Sequence, residues 1–575
     1  MKKLYPYIRP FLSGLVIGIL CRGLGAFSDL IIPYLMGEVI NRGIAGEDTA
    51  LIIQLCLAML VIAALTLGVN LLGNYSATRA TQKMGERMRD ALYSHVQDMT
   101  IYDVENITTP SLITRVTNDV ENVQRTLLML SRFMVRAPVT AIGGTVLSLL
   151  IDPYLTLIMF VAMLLLAAAS ISVYKVTRPI YRKVQKYIDR MTGVLRENLD
   201  GVRVVKAFNK ADYELGRFDS QSNMVRKNEV KAGTFNSFMG PSITFISSLT
   251  IVFVLYVGGF RIQGGNVQIG DMVTIINYIN MILMAMTMIP RMFMMFSRAN
   301  TSAGRISEVL DVQNRTAYGE ETEGVDHDVI LEFQHVSFSY PGTERHALHD
   351  VSFKIRRGET LAVIGSTGSG KTSLLNLILR LYEPTGGRIL FEGRDIRDYD
   401  KKALTRKITA AMQQYNIFGM SIKENITLDL DYDDDRLSRS AESAQIMELI
   451  DELDEHFDYV ISQNGTNLSG GQKQRISVAR TLYRKSDLVV LDDVSSALDY
   501  STDLKLRTAL RKNYRTTSVV LISQRISSVK NADQILVLDK GRAMGLGTHD
   551  ELLNACTSYQ QICETQAVQV TQTAS

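Results

Sequence analysis

Gly365-Ser366-Thr367-Gly368-Ser369-Gly370-Lys371-Thr372, followed by Ser373, stands between a strand-like run, Thr360–Ile364, and a helical pattern, Thr372–Leu381. Strand, glycine-rich turn and helix in that order are the context a P-loop requires. The glycines let the backbone curl so that successive N–H groups and a helix N-terminus point at phosphate oxygens. Lys371 adds a positive charge beside the β- and γ-phosphates, and the Thr372 hydroxyl is placed to ligand Mg²⁺. The stretch predicts an α/β P-loop domain that binds a nucleoside triphosphate.

About a hundred residues further on comes Leu468-Ser469-Gly470-Gly471-Gln472, then Lys473-Gln474-Arg475. With this motif the sequence resembles the ATP-binding cassette (ABC) family, whose signature is LSGGQ. Leu488-Val489-Val490-Leu491-Asp492 is an apolar strand ending in a carboxylate and looks like the family's Walker B, which implies that Asp492 holds Mg²⁺. Ser496-Ala497-Leu498-Asp499 resembles the D-loop. Tyr340 matches the aromatic that stacks on adenine. Met412-Gln413-Gln414 matches the Q-loop, and spacing back from Ser421-Ile422 favours Gln413 as the coupling glutamine and a further Mg²⁺ contact. The resemblance implies ATP and Mg²⁺ as ligands of the Gly365–Ser373 loop. Alone, Tyr340 would read as a strand residue and Gln413 as a solvated loop amide.

The first half of the chain is different in kind. The 575 residues carry a net charge of +3, too little to argue for a nucleic-acid partner. Six stretches, near 12–38, 50–74, 132–151, 153–175, 237–260 and 270–296, reach the roughly 20 apolar residues that a membrane helix needs. Lys2, Lys3 and Arg9 precede the first, but its apolar run continues to about Ile40 with no small-x-small site, which reads as a membrane helix and not a cleaved leader. The connections at 41–49, Asp152–Pro153 and 261–269 are short. Those at 75–131 and 176–236 are long and basic, with Arg79, Arg87, Arg115, Arg178, Arg182 and Lys206 among their charges. The positive-inside rule puts the long connections and both termini in the cytoplasm of a multi-pass cell-membrane protein. Apolar residues at helical spacing in Thr81–Val96 and Ile188–Val205 predict that the helices continue beyond the bilayer. Arg22 and Asp29 lie inside the first span; Asp29 either faces a cavity or partner helix, or is solvated near the outer end. Cys21 and Cys56 read as small buried hydrophobes, and the four cysteines show no metal spacing.

The expected fold is multi-domain: an all-α polytopic membrane domain of six long helices, of the ABC exporter type, plus an α/β P-loop NTPase cassette. Residues 1–310 form the first, 311–328 an acidic linker, 329–565 the cassette and 566–575 a tail. Within the long connections, Leu112-Ile113-Thr114-Arg115 with Asn118-Asp119-Val120, and Gly201–Phe208 with Glu214 and Arg217-Phe218, resemble two stretches of the family's six-helix exporters, though Pro110 and Ala211 depart from them. The resemblance implies coupling helices that dock on the cassettes, here near 106–112 and 208–214.

Two positions depart from the family where its chemistry is done. Asp493 stands where the family has the Glu that polarises the attacking water, which withdraws the carboxylate by roughly 1.5 Å; misplacement of about 1 Å can cost 10²-fold in rate. Gln524, before Arg525, stands where the family has the switch histidine; it donates a hydrogen bond but carries no charge and relays no proton. With Leu468–Gln472 intact, this pattern resembles the degenerate-site subunit of a heterodimeric exporter. The expectation is a second, non-identical half-transporter that supplies the working Glu and His; the alternative is a homodimer with two slow sites.

Six spans exclude a soluble cassette ATPase. Fusion of membrane part and cassette speaks against an ordinary importer subunit, although some siderophore importers share this architecture. An ATP-gated channel has no support in the residues. Met272, Met281, Met284, Met286, Met288, Met292, Met294 and Met295 give the last span either an adaptable face for hydrophobic cargo or ordinary helix packing. Drug, lipid and peptide export all stay open.

Overall fold

A computed structural model describes residues 2–313, 318–326, 328–428, 430–496 and 498–573. Ala497 of the expected D-loop, and parts of the 311–328 connector and of the 566–575 tail, lie outside them. The chain divides into two compact units, Met1–Gln97 with Thr109–Asp311, and Asp98–Thr108 with Val312–Ser575.

The first unit is helical. Among the described residues six helices are long and apolar enough to cross a membrane: Tyr5–Ile44, Thr49–Asp98, Thr109–Ile151, Pro153–Asp200, Ala211–Gln263 and Ile269–Met286. The helix Thr49–Asp98 has 50 residues and Pro153–Asp200 has 48. At 1.5 Å per residue each is more than 70 Å long, against a hydrocarbon layer of about 30 Å. These helices therefore run well past the bilayer, as the amphipathic spacing predicts. Their bilayer portions leave leucines such as Leu60, Leu65 and Leu72 exposed, as a surface solvated by lipid should.

Small residues let the first two spans touch. A Cβ on Gly18 would stand 2.8 Å from Ala77 Cβ, and one on Gly73 would stand 2.7 Å from Cys21 Cβ. Such close approach replaces hydrophobic drive inside a bilayer, where side chains and lipid tails are equally apolar. At the opposite turn Asp152 caps the helix Pro153–Asp200, accepting from Tyr154 N and Leu155 N at 2.9 Å, and pairs with Arg261.

The second unit is a cassette of two sheets. Five strands of the larger sheet run in the order Gln534–Asp539, Thr360–Gly365, Ser518–Ile522, Leu488–Asp492 and Ile408–Ala411, paired in parallel, with Arg542–Gly547 antiparallel on the edge. The inner strands Thr360–Gly365, Leu488–Asp492 and Ser518–Ile522 are buried almost throughout, which is why they read as unbroken apolar runs. An antiparallel sheet in the order His346–Arg356, Val329–Ser339, Gly386–Phe391 and Arg394–Asp395 shares the core around Phe333, Phe338 and Phe353.

The short helix Ile101–Ile107 belongs to this second unit. Thr100 caps it by accepting from Asp103 N, Tyr382 Oη donates to Glu105 Oε2 at 3.3 Å, and Lys401 pairs with Asp98 at 3.6 Å. The helix that meets the cassette thus lies N-terminal to the expected 106–112, because Thr108 has φ +72° and the next helix begins at Thr109-Pro110. Likewise 208–214 covers a turn at Asn209, φ +49°, and the first residues of Ala211–Ser237; the short helix there is Val202–Ala207.

Candidate functional site

The strand Thr360–Gly365 ends in the buried centre of the larger sheet and releases the chain into the loop that precedes the helix Lys371–Ile378. Gly370 has φ +106°, and a Cβ there would stand 2.7 Å from Ala347 O. Only glycine fits such a turn. The backbone is pinned from beneath, since Gly541 N donates to Ser369 O at 3.0 Å, while Ser369 Oγ is buried without a partner. Lys371 Nζ donates to Gly365 O at 2.8 Å and to Ser366 O at 2.7 Å, folded over the loop it would leave for a phosphate.

Above the loop lies a cleft of about 760 Å³. It brings together Tyr340, Ser366, Thr367, Gly368, Gly370, Lys371, Thr372, Ser373, Gln413, Asp492, Asp493 and Gln524. Gly365 and Ser369 sit in the turn beneath. Gln413 lines the cleft and Gln414 does not. The ring of Tyr340 packs edge-on against Phe338 and Tyr382, and its hydroxyl meets Ser373 Oγ at 3.1 Å and Asn376 Nδ2 at 3.3 Å. These contacts hold the ring at the wall of the cleft and give Ser373 a partner within the protein.

Leu468, Ser469, Gly470, Gly471, Gln472 and Asp499 do not line this cleft. Ser469 caps the helix Gly470–Tyr483 in a reciprocal box: Ser469 N donates to Gln472 Oε1 at 2.7 Å, and Gln472 N donates to Ser469 Oγ at 3.3 Å. Asp499 caps Tyr500–Asn513 by accepting from Thr502 N at 3.0 Å. Both motifs present the start of a helix on the cassette surface.

The charges in the cleft are held against their ionised forms. Burial pushes the Lys371 ammonium below the ordinary lysine range, against the pull of Asp492 and Asp493. Burial raises the Asp492 carboxyl and the neighbouring Asp493 adds to the rise, with a hydrogen bond from the Gln413 backbone and the charge of Lys371 opposing. Asp493 is raised by burial, opposed by a hydrogen bond from Ser496 and by Arg525 and Lys371. A polyphosphate and a divalent cation would relieve both sides of this balance.

The donor set fits Mg²⁺. Thr372, Gln413 and Asp492 offer hydroxyl, amide and carboxylate oxygens on one wall, and Mg²⁺ takes oxygen ligands of this kind while keeping water and substrate phosphate as others. Its chemistry would be to neutralise phosphate charge. Asp493 is fixed from several sides: its N–H donates to Ile522 O at 2.9 Å, and its carbonyl accepts from Ser496 Oγ at 2.8 Å and Gln474 Nε2 at 3.1 Å.

Sequence reasoning missed Thr343, Arg345, His346, Lys540 and Gly541, which also line the cleft. They come from two strand connections, Tyr340–His346 and Lys540–Gly541, far apart in sequence, so only their convergence in space marks them. His346 is tied down by Ser339 Oγ at 3.0 Å.

A six-span helical membrane unit and a P-loop NTPase cassette on one chain define a multi-pass, nucleotide-binding membrane transporter. Residues 15–286 match the ABC transporter transmembrane region and 348–496 the ABC transporter domain. The chain is 36% identical to the ABC transporter ATP-binding protein YfiB of Bacillus subtilis (strain 168), over 98% of each. It is 29% identical to the ATP-dependent lipid A-core flippase of Sodalis glossinidius (strain morsitans), over 98% of this chain and 97% of that one. A solved bacterial Atm1-family ABC exporter with ATP bound superposes with a TM-score of 0.78 at 20% identity, covering 97% of this chain and 98% of that one. The chain belongs to the ABC transporter family. The Atm1-family exporter functions as a homodimer, and this corrects the expectation of a second, non-identical half-transporter. The physical reason is that Asp493 and Gln524 alter the chemistry of a site without dictating which chain faces it.

Proposed function

We propose that two copies of this chain form an ATP-driven exporter of hydrophobic or lipid-like compounds that works slowly at two identical sites. One observation carries this reading: Leu468–Gln472 lines no part of the cleft that gathers Lys371, Thr372 and Asp492. A second cassette has to bring its signature helix, with the Ser469 cap and the positive end of the helix dipole, to the open side of the bound ATP. In the homodimer each copy supplies both halves. The likeness to ATP-dependent lipid A-core flippases supports a lipid-like cargo.

In this reading residues 1–310 carry the transport path, 311–328 connect, and 329–565 perform the ATP chemistry. Tyr340 stacks on the base, the Gly365–Ser373 loop and Lys371 hold the phosphates, and Thr372, Gln413 and Asp492 hold Mg²⁺. Closure of the cassettes turns the cavity outward through the helix Ile101–Ile107, with both chain ends in the cytoplasm. Asp493 orients water from too far back, and Gln524 donates to the γ-phosphate without a charge, so ATP is held long and cleaved slowly.

The test uses the purified chain alone, reconstituted in lipid vesicles. Expected are a particle of two chains, slow ATP turnover, and ATP-dependent movement of a fluorescent lipid that Lys371→Ala abolishes. A monomer, or lipid movement untouched by Lys371→Ala, overturns the proposal.

A further inference from the structure

A second groove in the cassette lies between the helix Tyr500–Asn513 and the strands Leu488–Asp492 and Ser518–Ile522. Its volume is about 830 Å³, and it shares no lining residue with the ATP cleft. It touches Thr360, at the start of the strand whose other end, Gly365, opens the P-loop. Six residues of strand, about 20 Å, separate those ends.

The floor is apolar, formed by the buried side chains of Leu491, Val494, Leu506, Leu510 and Leu521. Thr508, Thr517 and Asn531 add hydroxyl and amide groups. A space of this size, apolar with a few polar groups, suits one small molecule.

The charges of the groove do not balance. Asp503, Arg507 and Arg511 follow one another at four-residue steps on one face of the helix. Asp503 and Arg507 cancel, paired at 2.6 Å. Asp533, which accepts from Thr360 N at 2.8 Å, is the other carboxylate of the lining. Arg511 donates to a carbonyl, Asn531 O. The exposed side chains of Lys512 and Arg515 have no hydrogen bond or ion pair among the described residues. Three cations against one carboxylate leave two positive charges at the mouth.

The inner end of the groove meets the loops of the ATP site. Asp503 Oδ1 accepts from Ser495 Oγ at 2.6 Å, and Arg507 Nη1 donates to Ser527 O at 2.8 Å. Ser495 follows closely on Asp493, and Ser527 on Gln524. The Asp503–Arg507 pair therefore braces both loops from behind.

We infer that this groove binds a nucleoside monophosphate, with its phosphate on Arg511, Lys512 and Arg515 and its base on the leucine floor, and that Arg507 carries the occupancy to the loops of Asp493 and Gln524. A phosphate monoester bears about two negative charges at neutral pH, which matches the excess at the mouth. Guanidinium edges pair with its oxygens through charge-assisted hydrogen bonds. A base offers a flat apolar face to the leucines and polar edges to Thr508, Thr517 and Asn531. Arg511 is one helical turn from Arg507, so a dianion held by one alters the field at the other.

The experiment uses the full-length protein in phosphatidylcholine nanodiscs, with its ATP cleft saturated by a non-hydrolysable ATP analogue. AMP, ribose 5-phosphate and adenosine are titrated calorimetrically. AMP is expected to bind at least about tenfold tighter than either fragment. Lys512→Gln with Arg515→Gln should weaken AMP at least about tenfold, whereas Lys512→Arg with Arg515→Lys, which keeps both charges, should bind it as the parent does. Both side chains are exposed and without a partner among the described residues, so these substitutions leave the fold in place. Amide hydrogen exchange should slow on addition of AMP in 504–517 and, beyond the groove, in 493–496 and 524–528. Absence of AMP binding removes the site, and equal affinity for ribose 5-phosphate makes it a plain anion patch. Equal affinity for adenosine removes the cations, and unchanged binding in the glutamine variant places AMP elsewhere. Protection confined to 504–517 cuts the groove off from the catalytic loops. Each of these overturns the inference, and all are read without transport.

Discussion

Gln566 brackets the main chain of Gln524: its Nε2 donates to Gln524 O at 2.6 Å, and its Oε1 accepts from Ile526 N at 2.9 Å. The Gln524 side chain stays exposed at the cleft, so the last helix, Thr557–Thr573, fixes the base of the loop and leaves its tip free. Gln566→Ala removes two hydrogen bonds worth about 1 kcal/mol each. The expected result is a severalfold fall in kcat for ATP with KM unchanged, because Tyr340 and Lys371 are untouched. Gln566→Glu keeps the acceptor and loses the donor, and should fall between. Steady-state ATPase assays on the reconstituted protein decide it.

Asp493 has φ +50°, a left-handed conformation that Asp tolerates better than most residues. Asp493→Glu should therefore cost about 1 kcal/mol of stability while carrying the carboxylate forward toward the γ-phosphate. Turnover is expected to rise on the order of 10-fold or more. Gln524→His should raise it further and make it pH-dependent as an imidazole titrates near about 6.5. If both variants turn over ATP at the parental rate, slow chemistry does not arise from these two side chains.

Much of the fold and of the cleft is legible in the sequence alone. The Gly365–Thr372 loop, the Leu488–Asp492 strand and the six apolar spans each carry a local signal, a glycine spacing or an unbroken buried run, which survives without tertiary context. Arg345, His346 and Lys540 carry none, because they reach the cleft from two strand connections nearly two hundred residues apart. The helix beside the cassette lies earlier than the family spacing implies, because Thr108, a non-glycine residue at φ +72°, ends it between Asn106 and Pro110. Nothing in the spacing of Asp493 and Gln524 could decide whether the facing chain was the same or different. Gln566 falls in a stretch that composition reads as a tail, and only its two hydrogen bonds give it a role.

Glu392 is a buried carboxylate shared between Lys407 Nζ at 2.7 Å and Arg357 Nη2 at 2.5 Å. Burial alone would raise its carboxyl, but the hydrogen bonds from Lys407 and Arg357 hold it below the ordinary range. The folded value is the lower one. The stabilisation is therefore complete above the unfolded value of about 4.3 and disappears as pH falls through the folded value. Glu392→Gln should cost about 3 kcal/mol at neutral pH, as for a buried pair with one partner removed. In thermal unfolding the gap between parent and variant should close as pH is lowered from about 6 toward 3. A gap that stays constant would show that the charge contributes nothing.

Asp119 is fully buried at the end of the π-helical stretch Arg115–Asp119, and its Oδ1 accepts from Arg305 Nη2 at 2.5 Å and Ser302 Oγ at 2.7 Å. Arg115 Nη1, from the same stretch, donates to Arg305 O and pairs with Glu308, both at 2.9 Å. Arg115 and Asp119, four residues apart, share one face of this stretch and meet Ile269–Leu310 together. Removal of the two partners should be unequal. Arg305→Ala strands a carboxylate that has no access to water and should cost about 3–5 kcal/mol. Asp119→Ala leaves Arg305, whose side chain is 48% exposed, able to turn to solvent, and should cost less. The double variant should then be more stable than Arg305→Ala alone, with a coupling of about 2–3 kcal/mol in a double-mutant cycle of thermal unfolding. Costs that add to within about 0.5 kcal/mol would mean that the pair is a surface contact in energy, whatever its burial.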